Sequence, residues 1–338
     1  MIGPVIAGLL GTLAPAFGYM PALGGDTLNL HAFAMLFDWP GITRASVLSV
    51  TTGVTATALS LLLVTLICAA WSGSRAFRII ERALSPLLSV PHAAAAFGLA
   101  FLIAPSGWIA RATSPWLTGW DRPPDLLILQ DPYGLSLIAG LVVKEVPFLL
   151  LMTLAALSQI RTGQARDTAL ALGYAPVTAW VKTVFPRVYA QIRLPVYAVL
   201  AFSMTVVDVS LILGPTTPPT LAVQILRWMN DPNLDMRFLA SAAAVWQLAL
   251  VVGTLILWRL AEGIVARIGH RWVASGARGG ATRAIRAASL AAAILSASAI
   301  VFGLFGLLIW SVAGFWSFPN LLPDSFSGRT WMRHAMTL

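Results

Sequence analysis

Apolar residues in this chain gather into long uninterrupted blocks separated by short polar loops. A helix needs about 20 apolar residues to cross roughly 30 Å of hydrocarbon. Six blocks reach that length: residues 46–71, 84–110, 133–158, 194–213, 238–258 and 287–312. A seventh run, residues 2–18, is shorter and holds Gly3, Pro4, Gly8, Gly11 and Pro15, which makes it a poor span. Barrel strands would alternate over about 10 residues, so these lengths predict helices. Trp71, Trp108, Trp258 and Trp310 lie at block ends, where an interfacial aromatic belt would place them. The pattern predicts an all-α, polytopic transmembrane helical bundle of about seven spans.

Composition agrees. Hydrophobic residues make up 58% and charged residues 10%, whereas a soluble domain carries about 25% charged. A net charge of +9 would suit a nucleic-acid binder, but the basic residues sit in short loops, where they act as topology signals and give no reason to expect nucleic acid. Loops 72–82, 161–193 and 259–286 hold 14 Lys or Arg; the opposite set (Arg44, Arg111, Arg122, Arg227, Arg237, Arg329 and Arg333) holds 7. The richer side is expected to be cytoplasmic, with the N-terminus inside and the C-terminus outside after seven spans. No Lys or Arg precedes the first run, so a cleaved signal peptide is not expected. Cys68 is the single cysteine, and His31, His92, His270 and His334 are scattered. Neither a disulfide framework nor a metal site is expected.

Gly8-Leu9-Leu10-Gly11-Thr12-Leu13 resembles Gly303-Leu304-Phe305-Gly306-Leu307-Leu308, and each leads through aromatics and proline to an acid, Asp26 or Asp324. Chance and duplication both account for so short an apolar match. Under duplication, residues 287–338 would open a second, truncated copy.

The loop 161–193 is too polar to span. Asp167 suits a helix start, Gly173 a left-handed helix end, Pro176 the first turn of a second helix, and Pro186 its close. The spacing predicts a helix–turn–helix on the cytoplasmic face. Asp167, Ala169, Gly173 and Pro186 stand where the coupling (EAA) loop of ABC importer permeases has its acid, small residue, glycine and proline; Thr168 replaces the first alanine of that pattern. The chain resembles that family over about residues 46–260. Lys144-Glu145-Val146-Pro147-Phe148 and Val207-Asp208-Val209-Ser210 are similar to segments of its long duplicated branch, grouped with thiamine, iron(III) and polyamine importers. The resemblance implies a permease subunit, not an enzyme, with no cofactor bound directly and ATP used by a partner ATPase that docks on Asp167–Gly173. It further implies an external solute-binding protein, a second permease half from another chain or a C-terminal continuation, surrounding lipid, and a bacterial inner-membrane location. It divides the chain into a weak first span and external loop (1–45), a permease core (46–260), a basic cytoplasmic linker (261–286) and the start of a second half (287–338).

Within the spans, Asp208, Lys144 and Glu145 are candidates for a translocation path or gate, or for structural pairing. His92 reads as a packing residue. No G-x-x-x-x-G-K-[ST] loop, H-E-x-x-H or G-x-S-x-G occurs. The rival class is an ion-gradient-driven secondary transporter, which also carries repeats and midplane charges. The helix–turn–helix is the feature that such a carrier has no reason to keep. The solute is not fixed by the sequence.

Overall fold

The computed structural model describes residues 2–160, 163–280, 282–329 and 331–332; Arg161, Thr162, Arg333 and His334, which entered the reasoning above, lie outside them. In chain order the helices are α1 (Ile2–Ala16), α2 (His31–Asp38), α3 (Ile42–Trp71), α4 (Arg75–Ser89), α5 (His92–Ile103), α6 (Trp108–Thr113), α7 (Leu135–Gln159), α8 (Gly163–Ala171), α9 (Pro176–Thr183), α10 (Phe185–Thr205), α11 (Asp208–Leu213), α12 (Leu221–Met229), α13 (Met236–Ala274) and α14 (Thr282–Ser311). The fold is an all-α helical bundle. Among the described residues, five segments are long and apolar enough to cross a membrane: α3, α5 with α6, α7, α13 and α14. α3, α7 and α10 pack against one another at the centre, α14 lies on α5 and α3, and α1 lies on α13.

Three expected boundaries move, each for a local reason. The block 84–110 is two elements. α4 sets Arg75, Arg78 and Arg82 on one side while burying Phe77, Leu84 and Leu87; Val90, ahead of Pro91, is extended (φ −71°, ψ 125°), as steric contact with a following proline requires. The apolar span therefore begins at His92. The block 194–213 also divides: α10 starts earlier, at Phe185, and the chain breaks at Val206 before α11, where Thr205, Val206 and Val207 are β-branched and stiff. Lastly, the stretch read as a basic linker is largely helix. α13 runs on to Ala274 over 39 residues, about 58 Å at 1.5 Å per residue, far beyond the hydrocarbon thickness.

Small residues let the central helices approach. On α3, Ser49, Thr52 and Thr57 are buried and donate to carbonyls four residues back at 2.8–2.9 Å, so their hydroxyls are satisfied without water. Gly98 of α5 faces Gly303 of α14; a Cβ on either would lie 2.7–2.9 Å from the other's backbone. At the start of α7, the Asp131 carboxylate accepts the N–H groups of Leu135 and Ser136 and the Ser136 hydroxyl at 2.9–3.0 Å.

The loops after α1 and α14 close alike. Phe17, nine residues after Gly8, accepts from Asn29 N–H; Val312, nine after Gly303, accepts from Ser327 N–H. An antiparallel bridge lies inside each loop, Met20–Gly25 and Ala313–Phe326. Asn29 Oδ1 then accepts from His31 N–H, and Ser327 Oγ from Arg329 N–H.

Two outcomes are expected. Gly303→Val should destabilise the purified protein by about 1–3 kcal/mol through overpacking, read as a lower thermal midpoint in detergent. Burial pushes the Asp131 carboxyl up, but the hydrogen bonds from Leu135, Ser136 and Tyr133 outweigh it and hold the group below its usual range. Its stabilisation is present above the unfolded carboxylate value near 3.9 and is lost as pH falls through the lower folded value. Asp131→Asn should cost about 1 kcal/mol at neutral pH, with the difference from the parent shrinking below about pH 4.

Candidate functional site

α8 and α9 form the expected helix–turn–helix at the end of the bundle that carries the basic loops. Gly173 adopts φ +83°. Tyr174 N–H donates to the Ala169 carbonyl at 3.1 Å, the left-handed closure that a C-terminal glycine permits. Pro176 lies in the first turn of α9. Two details differ from expectation. Asp167 lies inside α8 rather than at its start, because helix already runs from Gly163. Pro186 lies in the first turn of α10 rather than closing α9, which ends at Thr183; a proline lacks the N–H that a first turn leaves unused.

The two helices play different parts. α9 is the root: Val177, Ala179 and Trp180 are buried, Trp180 to 2% exposure, and Val177 and Trp180 join the cluster that holds Phe77, Leu84, Val146 and Leu150. α8 is the tip. Ala169 is its buried residue, while Asp167, Thr168 and Gly173 are exposed, as are Leu170 and Leu172, at 36% and 60%. Beside α8 a cavity of about 390 Å³ is lined in part by Ser72, Glu81, Ser158, Arg166 and Asp167.

The loop is fastened to α13. Lys182 is buried, and its Nζ donates to the carbonyls of Trp272 (3.0 Å) and Ala277 (2.8 Å). The same ammonium lies over the Trp272 and Tyr174 rings at 4.5 and 5.0 Å. A cation at a helix C-terminus meets the negative end of its dipole. Ala175 N–H also donates to the Arg278 carbonyl at 2.9 Å. Farther along α13, Glu262 accepts from Tyr189 (2.5 Å) and Tyr197 (3.1 Å) of α10 and pairs with Arg193 and Arg259, each at 3.3 Å. Sequence reasoning missed Lys182 and Glu262. Their signal was charge beside aromatics, for Lys182 within the polar loop 161–193 and for Glu262 in a stretch taken for linker.

Lys144 and Glu145 sit midway along α7, both buried, and address the two ends of the α4–α5 break. Lys144 Nζ donates to the carbonyls of Leu87 (3.1 Å) and Val90 (2.7 Å), at the C-terminal end of α4. Glu145 lies 3.7 Å from His92 Nε2, at the first residue of α5. Opposite charges thus meet opposite helix ends. Asp208, by contrast, opens α11 in an exposed position and makes no hydrogen bond among the described residues. The structure does not join it to the Lys144–Glu145 pair.

No family model matches the chain. It is 30% identical over 260 residues, 75% of its length, to the inner membrane ABC transporter permease protein YnjC of Escherichia coli strain K12. Over that stretch the chain is similar to an ABC transporter permease. It spans about half the length of this relative (49%). The fold is also that of a chain in the crystal structure of a bacterial ABC transporter involved in the import of the acidic polysaccharide alginate, with a TM-score of 0.58 at 16% identity, covering 79% of this chain and 94% of the other. The membrane-length apolar helices among the described residues agree with this likeness to an inner membrane protein.

Lys144→Met should lower the stability of the protein by about 1–3 kcal/mol, since two carbonyls, one buried and one partly buried, lose their donor. Asp208→Asn, at an exposed unpaired position, should change it by less than about 0.5 kcal/mol. Thermal unfolding of the two detergent-solubilised variants checks the contrast.

Proposed function

We propose that this permease is one membrane half of an ATP-driven importer and that α8 is where its ATPase docks. The observation that carries this reading is the exposed surface Asp167, Thr168, Leu170, Leu172 and Gly173, presented on a short helix whose partner α9 is sunk in the core. Two exposed leucines at the polar end of a bundle suit a groove in a soluble partner. ATP is hydrolysed by that separate subunit, and the permease holds no cofactor itself. ATPase closure pushes α8; α9, α10 and the extended end of α13 follow, because Lys182 and Glu262 fasten them together. The helices thereby alternate access between the two faces, and an external binding protein supplies the solute.

In this arrangement the basic end and the N-terminus are cytoplasmic and the C-terminal segment is external. A second permease half completes the pore. The matching closures of the loops after α1 and α14 support reading residues 287–338 as the opening of that half. The proposed solute is small, thiamine-like in the first instance, with iron or a polyamine next. Lys144 and Glu145 belong to the moving region around the translocation path, and Asp208 to its outer part.

Capture of purified ABC ATPase subunits by the full-length protein in detergent tests the proposal. Leu172→Glu leaves a surface residue on the surface, and Gly173→Pro cannot adopt a positive φ; each should reduce capture at least about tenfold, a loss of roughly 1.4 kcal/mol. If no ATPase binds the correctly inserted parent, an ion-gradient-driven carrier replaces the importer.

A further inference from the structure

Of the adjacent charges on α7, the lysine is satisfied inside the protein and the glutamate is not. Lys144 is turned onto the Leu87 and Val90 carbonyls. The Glu145 side chain is 5% exposed, and its Oε1 has no hydrogen-bond partner among the described residues. His92 Nε2, at 3.7 Å, is beyond hydrogen-bonding distance. A buried carboxylate so placed in hydrocarbon is costly, and no capping or packing role at α7 itself requires it.

The carboxylate is nevertheless close to an open face. The His92 imidazole is 39% exposed and packs on the Phe202 ring with centroids 4.9 Å apart; Phe202 is 37% exposed. His92 from α5 thus links Glu145, half-way along α7, to Phe202 of α10 at the break between α4 and α5. Broken helices near the middle of a membrane are where transporters place solute contacts.

We propose that Glu145, His92 and Phe202 form a contact site for the cationic group of the transported solute, an organic cation of the ammonium type. The proposal rests on the permease-half reading above. A carboxylate behind an aromatic ring suits such a cation, through charge and through the ring face. One carboxylate and one imidazole fall short of the ligand sets that calcium or zinc demands. Lys144 does not oppose the cation at this face, because two carbonyls hold its ammonium at the end of α4. Asp208, another candidate for the translocation path from the sequence, makes no hydrogen bond or ion pair with these groups among the described residues.

The test needs no knowledge of the solute. In full-length protein reconstituted in lipid, with Cys68 replaced by alanine, a cysteine is placed at Phe202 and, separately, at the exposed Thr205 one turn along α10. Rates of modification are compared for the trimethylammonium-ethyl and sulfonatoethyl methanethiosulfonates, which differ in sign of charge. A carboxylate within several ångströms should favour the cationic reagent at least about tenfold, and Glu145→Gln should bring the ratio close to one. A ratio near one with Glu145 present, a ratio that survives Glu145→Gln, or protection of both cysteines from both reagents overturns the site. ATPase capture by the same preparations is read separately. Capture without charge preference rejects the cation site alone, and charge preference without capture rejects the importer reading alone.

Discussion

Polar groups inside hydrocarbon have no water to fall back on, and the middle of α7 shows how the bundle is arranged around that constraint. A lysine and a glutamate stand next to each other, deep in the protein, on a helix that has to be apolar to span. The neighbouring span answers with a break at Val90–Pro91, which frees carbonyls at one end and leaves a helix start at the other. Without the break, Lys144 would face a backbone whose carbonyls were already used. Without Lys144, the Leu87 and Val90 carbonyls would be buried with nothing to accept. Break and charge explain each other, and the hydroxyls of α3 that bond back to their own helix obey the same rule on a smaller scale.

The second organising relation is mechanical. α8 is attached lightly, through Ala169, whereas α9 is rooted by Trp180. The extended end of α13 is bound to that root by Lys182 and to α10 by Glu262. Force applied at α8 therefore reaches α10 and α13 through short, buried, directional contacts rather than through a flexible loop. The segment joining α13 to α14 lies in the same assembly, since the Ala277 and Arg278 carbonyls are both used there.

Much of this was legible in the sequence. Block lengths gave the helical class and the main spans, and Gly173 and Pro176 gave the turn between α8 and α9, because backbone limits on those residues are local. What was not legible depended on tertiary partners. Asp167 looks like a cap until the helix is seen to run past it from Gly163. Residues 261–274 look like linker because what holds them comes from distant helices: tyrosines of α10 on Glu262, and Lys182 of α9 on the Trp272 carbonyl. His92 read as packing, and it does pack on Phe202; its nearness to Glu145 required the fold of α4 against α5. The similarity of residues 8–13 to 303–308 was too short to decide anything, yet the loops that follow close through corresponding carbonyls, a likeness that resides in hydrogen bonds rather than in side-chain identity.

The approach of Gly98 to Gly303 has a consequence for how this chain can vary. A side chain added at either position would meet backbone atoms of the other, not a side chain that a smaller residue could withdraw. Each partner already has the smallest residue available, so no change at one can compensate for a change at the other. Relief could come only by shifting a whole helix, which would disturb the hydrogen bond of Ser296 to the Val143 carbonyl and the packing of Ile300 at once. The pair is thus closed to reciprocal adjustment: a lineage must keep both glycines or rebuild the seat of α14.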